Sequence, residues 1–451
     1  MDASEFERLV RLADRITYGA NRSLMQQVEA LGYAGFVDQQ LDHESIDDSE
    51  LEGVLHAILP TLAMTPQELY DHVFEEQNFG APQRDLLIAT LIRRTFSPRQ
   101  LFERMVEFWS DHFSVSATSL PVSLFKFTED RDLIRQHAMG DFETLLQGDA
   151  ASPAMLYYLD NFSNTAEGPN ENYARELLEL HTMDVDGGYT EGDIKEVARV
   201  FTGWSIRLPG EFLFRSFTHD WGTKQVFGQQ ILPTGFEEGR LVLSLLAGHP
   251  STARHIVTKL ARRFSADIPA ERLVDDVTDA FVSSNGDIRE TLRSLLLHPL
   301  VAESQAIKFK RPNEFASGLA RALETELSQQ SLSATFETLS SAGHLPFQWP
   351  APDGYPDRRE YWQSTNGLLV RFNSAAAWTE ALAPQSEVLL QAAAIDGPLA
   401  QIDFLSASLR PQGLEPATRR RMLRYANTLD DAERPAALAA WLLSGPEAQW
   451  R

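Results

Sequence analysis

The sequence predicts an all-α fold: a large multi-helix globular array with one small β-hairpin insertion. Three observations carry that expectation. Apolar residues recur at three- and four-residue spacing along most of the chain. Ser or Thr followed by Pro, a pairing that caps and opens helices, occurs at Thr65-Pro66, Ser97-Pro98 and Ser152-Pro153. Alternation with period two is confined to the stretch from Ser205 to Gly228. The 451 residues, 43% apolar and 10% aromatic, are ample for a sizeable core. We expect a main helical body over 1–363 and C-terminal helices over 364–451 packed on it, without an independent second domain.

Taken in order, residues 4–41 form short amphipathic helices. Phe6, Leu9, Val10 and Ala13 share one face, and Asn21-Arg22-Ser23 starts a second helix carrying Leu24, Val28 and Leu31. Asp42 to Glu52 is an acidic connection expected to lie in solvent. Thr65-Pro66 opens one helix, and Ser97-Pro98 opens a longer one through Leu101, Met105, Phe108 and Trp109 to His112 and Phe113. Thr128 to Ala151 holds another pair, and Ser152-Pro153 caps a short helix ending at Asp160. From Asp160 to Trp204 a turn-rich loop leads into two helices joined by Gly187-Gly188. The hairpin places Ile206 and Leu208 before Pro209-Gly210, and Phe212, Leu213, Phe214 and Phe217 after it. Helices resume from Glu237 to Leu300, where LLAGHP (245–250) and LLLHP (295–299) end helices alike, a faint sign of duplication. Residues 345–363 are rich in Pro and aromatics and are expected to drape over the body as an irregular loop. Ala- and Leu-rich helices fill 364–446, broken at Pro411 and Gly413.

Charge and composition narrow the function. Forty Lys and Arg against 64 Asp and Glu give a formal charge of −24, which repels phosphate backbones and anionic lipid. Nucleic acid is therefore not an expected partner, although Lys308, Lys310 and Arg311 form the best candidate for a local basic patch. The absence of cysteine excludes disulfides, thiolate catalysis and Cys-ligated metal sites. Asp2, Glu5 and Glu7 stand where a signal peptide would place basic residues, and no apolar run approaches the ~18 residues of a membrane span. A cytoplasmic location is the expectation. No P-loop, nucleophile elbow, dinucleotide fingerprint or HExxH helix is present.

The chemistry concentrates between Asp160 and Trp204. Winding the helix that begins near Pro169 at ~100° per residue puts Asn172, Arg175, Glu176, Glu179 and Met183 on one side. His181 then falls on the apolar side with Leu177 and Leu178, as a buried imidazole hydrogen-bonded to backbone. Glu176 and Glu179 share a face, as paired carboxylates on a metal or acid–base helix must, but Arg175 is placed to neutralise Glu179 in a solvated salt bridge. Asp160, Asn161, Asn164, Asn170, Glu171 and Asn172 supply oxygens of the kind calcium or magnesium prefers. Asx turns and helix capping account for the same residues without an ion. Thr190 with Asp193 makes a capping-box start, and Trp204 is a core anchor. Outside the stretch, His112 is a candidate base, ligand or packed ring. His219-Asp220 followed by Lys224 suits an anion, a metal or a tied-down turn.

Several phrases together resemble a known family. EFWSDHFSVS, HAMGDFETLL, the PNENYARELLELHT run with its later FTGW, FTHDWGTKQVFG, IKFKRPNEF and the PDGYPD…YW loop are similar to the bacterial domain-of-unknown-function 1800 family, across nearly the whole chain. The loop before Trp362 departs from the commoner Gly-Trp-Pro form. The resemblance implies a large, mainly helical protein without a settled activity. It also implies a neighbouring sulfatase-like protein, often exported through a twin-arginine signal, as a candidate partner, and export together with it is the alternative to a cytoplasmic location.

Three functional expectations follow, the last being that the polar motif is a purely internal, fully hydrogen-bonded scaffold that fixes the fold. In the first, Glu176 and Glu179 act as acid–base groups or ligands and His112 or His219 carries protons. Asp160, Asn161, Asn164 and Glu176 would hold a divalent cation, and Asn170, Asn172, Arg175, Asp220 and Lys224 the substrate, in a hydrolytic or group-transfer reaction. In the second, the chain is a non-catalytic partner of the sulfatase-like protein, with segment 345–363 as an exposed apolar patch.

Overall fold

Apolar spacing becomes burial from the first helix onward. In this computed structural model, which describes residues 3–304, 308–410 and 413–451, α1 (Ala3–Ile16) buries Leu9, Val10, Ala13 and Ile16. They pack against α2 (Arg22–Leu41), which buries Val28, Phe36 and Val37. Gly32 breaks α2 into two helices, because its φ of 70° lies where an L side chain is strained. The acidic connection is less solvated than its composition suggests. His43 stacks on Phe102 with centroids 4.4 Å apart, and buried Asp48 accepts a hydrogen bond from Ser97 Oγ at 2.7 Å.

Thr65 and Ser152 cap their helices as predicted, the first in a reciprocal box with Glu68. Ser97 does not. It ends α3 (Ala81–Phe96) through its N–H to Arg93 O, and its hydroxyl accepts from Arg99 N–H at 3.1 Å. The next helix, α4 (Gln100–His112), therefore starts beyond the Ser-Pro pair. Helix α4 is buried on nearly every side yet carries Glu103, Arg104 and Glu107, so its charges must find partners inside the body.

The central stretch contains α5 (Glu171–Glu176), a wider π turn from Leu177 to His181, and α6 (Glu191–Val200) with the Thr190–Asp193 box. Strands β1 (Trp204–Arg207) and β2 (Glu211–Phe214) make the predicted hairpin, in antiparallel register from Trp204–Phe214 to Arg207–Glu211. Trp204 is buried against Phe201, Phe212 and Phe236. A second hairpin follows, β3 (Lys224–Val226) with β4 (Gln229–Ile231), which the sequence reading missed. Three-residue, Gln-containing strands are too short to show alternation.

Helices α7 (Phe236–Ala247) and α8 (Pro250–Phe264) come next. His249 caps α8 by accepting from Ser251 N–H, and His298 caps the helix Pro299–Ala302 from Leu300 N–H. The likeness of the two Leu-rich phrases is thus a shared His-Pro cap. Beyond them, α9 (Pro312–Ala322) joins two apolar clusters. Its Ala316 meets Leu87 and Leu91 of α3. Its Phe315 and Leu319 pack with Trp378 of α10 (Thr365–Leu382), Leu405 of α11 (Pro398–Leu409) and Leu438 of α12 (Arg434–Ser444). The chain end returns to the body, where Lys308 and Arg451 exchange backbone hydrogen bonds of 2.7 and 2.9 Å.

Residues 345–363 are irregular apart from one turn of helix at Arg359–Trp362. Tyr355 and Trp362 are buried beside His344, with centroids 4.3 and 4.7 Å away. Tyr361 stays 51% exposed, so the loop turns most of its aromatic surface inward instead of offering it as a patch. No described helix is long and apolar enough to cross a membrane.

Candidate functional site

The amide-rich loop is held together by its own side chains. Buried Asn164 donates to Asn161 Oδ1 at 3.0 Å and to Ala198 O at 2.9 Å, and accepts from Asn170 N–H at 2.9 Å. Asn161 donates to Phe201 O, Asn170 caps α5 through Asn172 N–H, and Asn172 donates to Leu159 O. Asp160 lies exposed with a left-handed backbone. The amide oxygens of Asn161, Asn164 and Asn170 are thus engaged in hydrogen bonds within the loop. No group of three or more His, Asp or Glu side chains able to hold a metal occurs among the described residues.

On α5, Arg175 binds Glu191 through both guanidinium nitrogens at 2.9 Å and reaches Glu171 and Glu179 at 3.4 and 3.5 Å. This is the salt-bridged face foreseen as one of two readings of Glu179. Met183, placed with these polar residues by an ideal helix, is buried, because the π turn shifts the residues after Glu176. Glu176 is half-buried, and burial, then the charges of Glu179 and Asp353, hold its carboxyl above the usual range.

His219 sits in a closed polar cluster. Its Nδ1 lies 2.7 Å from Thr202 O and its Nε2 3.0 Å from Glu238 Oε1, and Lys224 Nζ donates to Glu238 Oε2 at 2.6 Å. The side chains of His219, Lys224 and Glu238 have no exposed surface. Burial pushes Glu238 up, but hydrogen bonds from His219 and Lys224 outweigh it and hold the carboxylate below its ordinary range. Asp220 pairs with Arg199 at 2.7 Å. Gly203, at φ 81°, lets the chain pass: a Cβ there would meet Arg215 O at 2.7 Å. No hydrogen bond or ion pair among the described residues links this cluster to His112. The hairpin imidazole ties down a turn.

His112 lies elsewhere, at the end of α4. Its Nε2–H donates to His181 O at 3.1 Å, which leaves Nδ1 as the acceptor for Lys259 Nζ of α8 at 2.8 Å. Burial, then the Lys259 charge, holds His112 well below the usual imidazole range, so it is neutral. Burial likewise pulls Lys259 down to about 8. His181 is buried as expected, but its ring nitrogens find no hydrogen-bond partner. The ring packs edge-on to Phe113 at 5.3 Å, and burial lowers its pKa to about 3.

Lys259 and His112 line a cavity of about 220 Å³ between α4, α8 and loop 353–358. Arg262 and Arg358 line it too. No carboxylate among the described residues comes within ion-pair distance of Lys259, Arg262 or Arg358. Asp111, Asp353 and Asp357 face the same space; Asp353 accepts from Trp349 Nε1–H at 2.7 Å, and the other two are bound by cations. Arg311 holds Asp111 at 2.8 Å, Arg263 holds Asp357 at 2.5 Å, and Lys308 holds Asp357 at 3.1 Å and Asp267 at 2.5 Å. Behind them Arg311 also grips buried Glu107, and Arg104 and Arg451 grip Glu314 at 2.7 and 2.9 Å. Lys308 and Arg311 are therefore interior cations and do not contribute to a basic surface patch. Gly354 seats the loop: at φ 73°, its added Cβ would lie 2.0 Å from Asp111 O. Tyr158 hydroxyl donates to Pro350 O at 2.8 Å, and burial, then the charges of Asp353 and Glu176, raise its pKa.

Lys259, Arg262, Arg263 and Arg358 were not singled out from sequence. The available signal was the helical spacing of Glu103, Glu107 and Asp111 along a buried helix, which demands cations from elsewhere. A family model described as a protein of unknown function (DUF1800) matches residues 11–450. No curated protein and no solved structure matches the chain.

Proposed function

The chain belongs to the DUF1800 family, and from that premise we propose that it is an enzyme acting on an anionic small substrate, by hydrolysis or group transfer, in the cavity between α4 and α8. One observation carries this: Lys259, Arg262 and Arg358 line a cavity with no carboxylate at ion-pair distance among the described residues, in a chain with a formal charge of −24. Unpaired cations at a concave site attract an oxyanion, and a lysine held at about 8 beside an imidazole acceptor can exchange a proton near neutral pH. His112 relays protons for Lys259, and Arg262 and Arg358 are the anion holders. Calorimetric titration with inorganic phosphate and with sulfate tests the reading. Binding should weaken about tenfold in Arg262→Ala and in Arg358→Ala, as for loss of one charge-assisted contact. Equal affinity in wild type and both variants would sink it.

A second reading, a non-catalytic partner of a sulfatase-like protein, draws on exposed apolar residues near the hairpins. Phe217 is 85% exposed, and Leu208, Trp221 and Leu232 are exposed as well. Light scattering of the two proteins mixed, with Phe217→Asp as control, checks it; absence of association removes it.

A further inference from the structure

We propose that Lys259 is a point of covalent attachment, its amine condensing with the carbonyl of a small oxo acid whose carboxylate or phosphate is held by Arg262 and Arg358. The inference rests on the cavity being a substrate site and narrows what that substrate is.

Three features of the geometry lead there. Buried Lys308 is paired with Asp267 and Asp357, buried Lys224 with Glu238 and buried Lys126 with Glu129. Lys259 instead donates to the neutral Nδ1 of His112 at 2.8 Å, and that ring is fixed in its tautomer by His181 O. The amine thus has a proton acceptor beside it and no anion holding it as ammonium. Second, its burial brings the pKa to about 8, so an appreciable share is free amine at neutral pH, the form that attacks carbonyl carbon. Third, about 220 Å³ is less than the ~300 Å³ at which drug-sized pockets begin, so it fits a molecule of a few carbons and not a saccharide chain.

The step balances without an oxidant or reductant. The lone pair of Lys259 Nζ forms a C–N bond to the carbonyl carbon while the C=O π pair moves to oxygen. His112 Nδ1 takes a proton from the new ammonium and passes it to the alkoxide, then takes the remaining N–H proton and passes it to the resulting hydroxyl. The C–O bond then breaks, water leaves, and an imine joins lysine to substrate. Its protonated form draws electrons from the neighbouring carbon, which places the site in group transfer rather than hydrolysis.

The full-length chain is incubated with pyruvate, or separately with glycolaldehyde phosphate, in the presence of sodium cyanoborohydride, and its intact mass and peptide map are read. One reduced adduct per chain on Lys259 is expected, and the labelling arm tells carboxylate from phosphate recognition. In Lys259→Arg, which keeps the charge but cannot condense, that adduct is lost; Arg358→Ala should slow labelling about tenfold. No adduct in either arm, or labelling of wild type scattered over surface lysines, overturns the proposal. Phosphate titration of the same wild-type sample separates the two readings. Binding without an adduct overturns the imine alone; neither binding nor adduct overturns the cavity reading as well.

Discussion

Replacing Lys259 by methionine should raise stability at neutral pH while abolishing anion binding. The lysine is held at about 8 against an ordinary 10.5, so keeping it charged in the folded state costs roughly 3 kcal/mol at ~1.4 kcal/mol per pKa unit. Methionine keeps a similar length and removes that cost, but forfeits the hydrogen bond to His112, worth about 1 kcal/mol. The net gain is about 2 kcal/mol. With an unfolding entropy of ~2.1 cal/mol/K per residue over 451 residues, it appears as a rise of roughly 2 °C in the melting midpoint. The pH dependence follows from the direction of the shift. Between about 8 and 10.5 the unfolded lysine binds more proton than the folded one, so wild-type stability climbs relative to the variant as pH rises. The variant's advantage is complete below that window and gone above it. Melting midpoints of both proteins at neutral pH and near the top of the window decide the matter. A variant less stable than wild type at pH 7, or a difference indifferent to pH, would refute the reasoning. A functional group that taxes stability in this way is a common feature of active sites.

Arg311→Met should be severe, because it strips Glu107 and Asp111 of a shared guanidinium in the interior; a loss of about 3–5 kcal/mol is expected by chemical denaturation. Gly354→Ala forces a strained backbone and a clash with Asp111 O. It should cost about 1–3 kcal/mol by the same assay and weaken phosphate binding, since the loop that carries Arg358 must move. Glu238, held below its ordinary range by His219 and Lys224, contributes stability that is present above the unfolded carboxylate pKa and is lost as pH falls through the folded one. Glu238→Gln should therefore flatten the fall in melting midpoint between about pH 5 and pH 2, and an unchanged acid limb would show that the cluster does not hold the carboxylate as described.

Much of the architecture was present in short-range pattern. The caps at Thr65, Ser152 and Thr190, the first hairpin, the irregular run 345–363 and the burial of His181 and Trp204 all stand as expected. Each depends on residues within a few positions of one another, where propensity and hydrogen-bonding reach are set by the chain itself. Failures at the same range have local causes: Ser97 ends one helix instead of starting another, and the π turn after Glu176 displaces Met183 from the face an ideal helix gives it.

The candidate site had a different origin. Family-like phrases read as separate signals, EFWSDH, KFKRPNEF and PDGYPD, converge on one ion network and one cavity, while PNENYARELLELHT and FTHDWGTK organise loops and a sealed turn. Arg311 meets Asp111 across 200 positions and Lys259 meets His112 across 147. Periodicity and composition by themselves settled that the chain would be helical, acidic, free of cysteine and supplied with a core. Which buried carboxylates receive a cation, and which lysines and arginines are left without one to line a hollow, is decided only when distant helices dock, because charge pairing follows distance in space and not separation along the chain.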